Sequence, residues 1–454
     1  MSAVPGLRRV AWVLLVGALA AGCGGAKHAA RRPHSGGSIN VAIVDTPNAR
    51  DLARLTPSLF TGRTHIKVNY TILDEGTLRE LVTGDLTAHQ GQFDVVMIGP
   101  YEAPQYAKDG YIADLTSRAA SDVAYRLGDI IPSIRKALSY RGRLYASPFY
   151  GESSFLMYRK DVLRSAGIAM PADPTWDQVA AIARKVNRPD MAGICLRGKP
   201  GWGELGASFT TVLNTFGGSW WSAKPDGTLD KATVDRPAFR NALRFYVDLV
   251  RDAGEPDAAG SAFNDCLAQY LHGKVAMWYD ATVGAGQLEA ANSPVRGKNG
   301  YVPAPIERTS ASGWLWSWAL AIPRTSTRSQ SAWRYVAWAT GPQYIRQAGS
   351  RIAGGWAAIP PGTRRSTYAI PAYRNAARAF ARPTLDAIES APIDDPGTSE
   401  RPGYPGVQYV GVPQFQDVGN QCTAQFAAVI RGRSTLDAAL ANCQNVTAAA
   451  AGGP

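Results

Sequence analysis

Ile66-Lys67-Val68-Asn69-Tyr70-Thr71-Ile72, then Leu78, Leu81, Val82 and Leu86, then Phe93-Asp94-Val95-Val96-Met97-Ile98 running into Gly99-Pro100: this stretch decides the fold class. In the first part apolar residues alternate with Lys67, Asn69 and Thr71, the period of a half-exposed strand. In the second they fall three and four apart, the period of one helix face. In the third the run is continuously apolar, as in a strand covered on both faces, and Gly-Pro ends it. Strand, helix and buried strand in succession predict parallel strands with helices packed over them.

The same grammar extends outward. Upstream, Ile39 to Val44 predicts a buried strand and Asp45 to Phe60 a helix after its first few residues. Downstream, Thr175 caps a helix whose stripe is Trp176, Val179, Ile182 and Val186. Gly193–Leu196, Lys274–Tyr279 and Trp316–Ile322 read as strands, and Phe239–Arg251 and Ser329–Thr340 as helices. Repeated units of this kind make an α/β fold, and more than 400 residues after the leader suffice for two packed lobes.

The N-terminus sets the compartment. Arg8 and Arg9 precede an apolar run from Val10 to Ala21, too short to span a bilayer and suited to a signal core. It ends in Leu19-Ala20-Ala21-Gly22-Cys23, which resembles a bacterial lipoprotein signal spanning residues 1–23 and lipidated at Cys23; an ordinary secretory signal cleaved at a small residue is the alternative. Residues 24–37, rich in Gly, Ala, His, Arg and Pro, read as a flexible tether, and 447–454 as a disordered tail. Of the formal charge of +12, five cations precede residue 38 with no acid among them, leaving +7 for the remainder. Those Lys and Arg residues are scattered, so the expectation is adsorption to an anionic envelope rather than nucleic-acid binding.

With Cys23 assigned to the lipid, Cys195, Cys266, Cys422 and Cys443 are left in an oxidising compartment. Four cysteines allow three pairings. Cys422 with Cys443 is preferred because both flank an expected final helical hairpin, which leaves Cys195 with Cys266. The absence of CxxC, and of histidine near any cysteine, argues against a metal.

No GxSxG, HExxH, phosphate-binding loop or dinucleotide fingerprint occurs, and there are only five histidines. No cofactor is expected. Carboxylates at loop-like positions, Glu102, Glu152, Glu204 and Asp280, leave open an extracellular glycosidase using Glu102 and Glu152. Aromatic and charged groups instead gather after strands: Tyr101-Glu102, Phe149-Tyr150-Gly151-Glu152, Arg197 with Trp202, Asp280, and Trp314-Leu315-Trp316-Ser317-Trp318. Sugars and polyols call for this mixture, an aromatic face for C–H surfaces and planar charged groups for vicinal hydroxyls. A period of two puts Trp314, Trp316 and Trp318 on one face, with Trp314 expected toward a ligand and Trp318 in the core. A structural Glu152–Arg197 ion pair is the competing role for those two groups.

Several blocks, in one order, resemble the extracellular solute-binding proteins of bacterial ABC importers, the group that includes maltose-binding protein, and most of all its sorbitol/mannitol subgroup. They are Val68–Glu75, Gly91–Gly99, Pro148–Phe155, Gly193–Lys199 with Gly201–Glu204, Trp278–Val283, Trp314–Pro323 and Gly355-Trp356. The resemblance covers essentially the whole mature chain. It implies a two-lobe periplasmic-binding-protein-like fold with a ligand cleft between lobes. Lobe 1 would hold 38–148 plus 279–323 and lobe 2 would hold 149–278 plus 324–446, with crossovers near Ser147–Tyr150, Tyr279–Ala281 and Pro323–Thr327. It further implies capture of a sugar or polyol by lobe closure, without catalysis, and delivery to permease subunits by a monomer held at the membrane by its lipid; a non-transport lectin or sensor is the alternative. Tyr101, Tyr150, Trp202, Trp314 and Trp356 would supply stacking faces. Asn48, Glu102, Glu152, Arg197 and Asp280 would supply polar contacts.

Overall fold

The computed structural model describes residues 37–309, 313–393 and 406–452. The signal, Cys23 and the tether up to residue 36 lie outside the described residues. Two sheets organise the rest. In the first, strands run in the order Ile66–Leu73, Gly37–Val44, Val95–Ile98, Trp316–Ala321, Ala146–Glu152. Its first three strands are parallel, and Trp316–Ala321 pairs antiparallel with both neighbours. In the second the order is Asn299–Pro303, Ser154–Arg159, Val275–Ala281, Ala192–Cys195. The chain passes between the sheets at Ser153, which is fully buried. This two-sheet, two-lobe architecture is the α/β class expected from the alternating strand and helix periods.

Local chemistry fixes where helices begin. Thr46 accepts from Ala49 N to cap helix Pro47–Thr56, and Pro47 occupies its first position. Asp74 accepts from Thr77 N to cap helix Glu75–Thr87. Thr175 and Gln178 form a reciprocal capping box on Trp176–Val186. The first two caps sit directly after parallel strands, so residues 45–46 and 74–75 collect at the carboxyl edge of the first sheet.

Cys422 bonds Cys443, cross-linking helices Phe415–Ile430 and Leu436–Ala451. Cys195 bonds Cys266, fastening the end of strand Ala192–Cys195 to helix Phe263–Leu271.

Three expectations are corrected. Residues 447–451 are not tail: they finish helix Leu436–Ala451, where alanines favour helix, and Thr447 is buried with its carbonyl accepting from Trp221 Nε1 at 2.9 Å. Gly37 belongs to the first strand rather than the tether. The division of lobes is also corrected. Asn299–Pro303, expected in lobe 1, pairs with Ser154–Arg159 of the second sheet. Helix Ser329–Ala339, expected in lobe 2, packs on strands Gly37–Val44 and Ala146–Glu152 of the first. Of the expected crossovers, the first falls instead at Ser153, and residues 279–281 lie inside strand Val275–Ala281. Such pairings join segments more than 100 residues apart, and short-range periodicity carries no information about them.

Candidate functional site

The carboxyl ends of strands from both sheets face a cavity of about 240 Å³. That is below the roughly 300–1,000 Å³ of drug-sized ligand sites and suits a small solute. The first sheet contributes Asp45 and Thr46, Asp74, Glu75 and Arg79, Tyr150 and Glu152, and Trp316 and Trp318. The second contributes Arg197, Lys199, Trp202, Gly203, Glu204 and the helix start Phe263-Asn264-Asp265. Trp314 and Gln408 complete the wall. Ligands of open α/β sheets bind at this edge, where helix caps and strand ends converge.

Two arginines anchor the wall. The Arg197 guanidinium makes a bidentate pair with Asp280, Nε to Oδ2 at 2.9 Å and Nη2 to Oδ1 at 2.7 Å. Its Nη1 donates to the Gly203 carbonyl at 3.0 Å and lies 3.4 Å from Glu204 and 3.9 Å from Glu75. Arg79 pairs with Glu75 at 2.9 Å and with the buried Glu102. The carbon centre of its guanidinium stands 4.2 Å from the Trp202 ring and 4.9 Å from those of Trp316 and Trp318. A desolvated cation among three indole faces is held by their quadrupoles as well as by its acids. Gly99 makes this possible, because a Cβ there would come within 2.0 Å of the Trp316 ring.

Contacts also bridge the cavity mouth. Lys199 Nζ lies 3.5 Å from Asp74, and Asn264 Nδ2 donates to the Asp45 carbonyl at 2.8 Å. Burial, and secondarily Glu75, pushes the Glu204 carboxyl up to about 7. Burial also pushes Glu152 well above the carboxylate range, opposed by Arg197 and reinforced by Asp280 and Glu75.

Of the ten residues expected to touch a ligand, the structure brings Tyr150, Glu152, Arg197, Trp202 and Trp314 to the wall. The other five do not line it. Asp280 is fully buried and orients Arg197. Glu102 accepts from Gly99 N at 2.9 Å and from Arg79. The Tyr101 ring backs Trp202 at 4.5 Å, and its hydroxyl donates to the Val412 carbonyl. Asn48 donates to the Ala358 carbonyl at 2.9 Å, and Trp356 packs over Gly349. Trp318, expected in the core, lines the cavity beside Trp314 and Trp316, because the period of two holds along the whole segment. Glu152 does not pair with Arg197; Asp280 and Glu204 take that cation instead.

Arg79, Glu75, Asp74 and Lys199 went unrecognised in the sequence. The signal for Arg79 was present: it adjoins Leu78 and Val82 on the apolar stripe of its helix, a charge where a hydrophobe belongs.

Residues 47–345 match the family described as "Bacterial extracellular solute-binding protein". The chain is 38% identical over 415 residues to a mannitol-binding protein of Pseudomonas aeruginosa, covering 90% of this chain and 92% of the other. It is 25% identical over 349 residues to an erythritol/L-threitol-binding protein of Mycolicibacterium smegmatis, covering 72% and 71%. Its fold matches an ABC-transporter solute-binding protein of Agrobacterium vitis S4 solved with bound D-mannitol, with TM-score 0.86, 40% identity and coverage of 90% and 97%. At 23% identity and TM-score 0.78, a ribitol complex from Agrobacterium radiobacter K84 shares the fold, covering 92% of this chain and 100% of that one.

Proposed function

Because the chain belongs to the bacterial extracellular solute-binding protein family, in its polyol subgroup, we propose that it is the lipid-anchored receptor of a polyol importer and that its ligand is a linear hexitol of the mannitol type. The observation that carries this is the make-up of the cavity wall. Six aromatic rings, Tyr150, Trp202, Phe263, Trp314, Trp316 and Trp318, stand beside Arg197 and a set of carboxyl groups in a space sized for one small solute. Indole faces suit the C–H edges of an extended polyol, and the charged planar groups suit its hydroxyls. The 38% identity to a mannitol-binding protein supports the same ligand class.

The wall joins residues from both sheets, so a ligand in it stabilises the closed arrangement over an open one, and a permease can read that difference. Binding here proceeds without catalysis. Of the two carboxyls a glycosidase would need, Glu102 is occupied by Arg79 and Gly99 N behind the wall. The tether and a lipid on Cys23 keep the receptor near its permease and raise its effective concentration there.

A thermal-shift panel of hexitols, pentitols and common sugars tests the ligand class. A saturable rise in Tm with hexitols, and no product formation, is expected; a rise only with cyclic sugars would refute the hexitol assignment. Cys23→Ala is expected to release the receptor into the medium, and retention at the membrane would overturn the anchor.

A further inference from the structure

Glu152 differs from every other carboxyl, guanidinium and ammonium group on the cavity wall. Arg197, Arg79 and Lys199 are each paired with acids. Asp45 pairs with Arg50, Asp74 with Lys199, Glu75 with Arg79 and Glu204 with Arg197. Asp265 accepts from the Ala262 backbone. The Glu152 carboxyl has no hydrogen bond or ion pair among the described residues, yet it is only 5% exposed and lines the cavity. It ends strand Ala146–Glu152, opposite Trp316 in the register of the first sheet.

A buried, unpartnered carboxylate is costly, and an uncharged polyol brings no cation to offset it. A carboxylic acid fits better: its O–H donates and its carbonyl oxygen accepts, matching two hydroxyls that can each do either. We propose that Glu152 is a specificity-determining residue that binds the ligand as a neutral carboxyl group, donating one hydrogen bond and accepting another.

The surroundings agree. The groups acting on Glu152 from neighbouring elements are Arg197 beyond strand Ala192–Cys195, Asp280 on strand Val275–Ala281 and Glu75 on its helix, with Tyr150 on its own strand. Two of the three flanking charges are negative and the cation is already held by Asp280. Burial raises the carboxyl's affinity for its proton. A neutral ligand that displaces the remaining water raises it further, so binding takes up a proton wherever the free group is ionised. Affinity therefore falls as pH rises through the ionisation of the free group, and is complete below it.

This proposal rests on the polyol reading, and one calorimetric series separates the two. D-mannitol is titrated into the wild type, Glu152→Gln and Glu152→Ala at pH 5, 7 and 9. Glu152→Gln keeps a donor and an acceptor at nearly the same shape and controls for folding. The expected result has three parts. Glu152→Gln binds within about threefold of the wild type at pH 5, Glu152→Ala binds at least tenfold more weakly, and any fall in wild-type affinity toward pH 9 is absent from Glu152→Gln. A tenfold loss in Glu152→Gln at pH 5, no loss in Glu152→Ala, or a fall in affinity toward pH 9 that Glu152→Gln shares in full overturns the neutral-carboxyl role while leaving the receptor a polyol binder. Absence of binding by the wild type at every pH overturns the polyol reading and this proposal with it.

Discussion

Replacing Gly203 by Ala places a methyl group where the closed cavity has no room. A Cβ on Gly203 would lie 1.9 Å from Glu75 Oε1, 3.1 Å from Glu75 Cδ and 3.3 Å from Arg79 Nη2. The oxygen it meets is the end of a flexible side chain, but that end is fixed: Arg79 donates to it from Nη2 at 2.9 Å and from Nε at 3.3 Å. Two responses are open. Glu75 swings off Arg79, or the loop carrying Gly203 stays about 1.5 Å further from helix Glu75–Thr87, given a normal contact near 3.5 Å. Overpacking of this kind costs about 1–3 kcal/mol. It falls on the closed arrangement, because Gly203 and Glu75 belong to segments attached to different sheets. Hexitol affinity is therefore expected to weaken about 5- to 150-fold, with the Tm of the ligand-free protein nearly unchanged. Calorimetric titration with D-mannitol reads the first and scanning calorimetry the second. A cycle with Glu75→Ala isolates the cause: in that background the added loss from Gly203→Ala should vanish. An affinity within twofold of the wild type for Gly203→Ala would refute the reasoning.

Four further outcomes follow from the same geometry. Asp280→Asn removes the charge that orients Arg197, and hexitol affinity should fall by at least tenfold, in line with about 1.5–3 kcal/mol for a hydrogen bond to a charged group; calorimetry checks it. Arg79→Leu strands the buried Glu102 and should lower the unfolding free energy in urea by about 3–5 kcal/mol. Cys422→Ser with Cys443→Ser opens a loop spanning a separation of 21 residues and should cost about 3 kcal/mol by the same assay. Glu204, raised by burial to about 7, binds more protons folded than unfolded, so it withdraws stability as pH rises from about 4.5 to 7. Glu204→Gln should flatten that segment of the stability–pH curve and raise Tm at pH 8; a curve identical to the wild type's would contradict the assignment.

What was legible in the sequence follows from the range of the interactions involved. Strand Val95–Ile98, helix Trp176–Val186 with its Thr175 box and helix Pro237–Ala253 all declare themselves through contacts within one turn or one pleat. The lobe to which Asn299–Pro303 belongs is set by pairing with Ser154–Arg159, far away in the chain. The site divides the same way. Position at a strand end brought Glu152, Arg197, Trp202 and Trp314 into consideration, but strand ends do not tell which way a side chain turns. Asp280 and Glu102 were recognised as polar groups near the cleft and turn out to hold the arginines behind it. Arg79 escaped notice because a helical arginine near glutamates resembles a surface ion pair until three indoles are found around it.

The central claim is that this cavity takes one linear polyol and does nothing to it. Isothermal titration of D-mannitol into protein unfolded, dialysed free of co-purifying solute and refolded tests that most directly, with mass analysis of the solute recovered afterwards. One saturable event per chain with the polyol recovered unchanged is the predicted result. No heat with any hexitol or pentitol, or recovery of a chemically altered product, would contradict it.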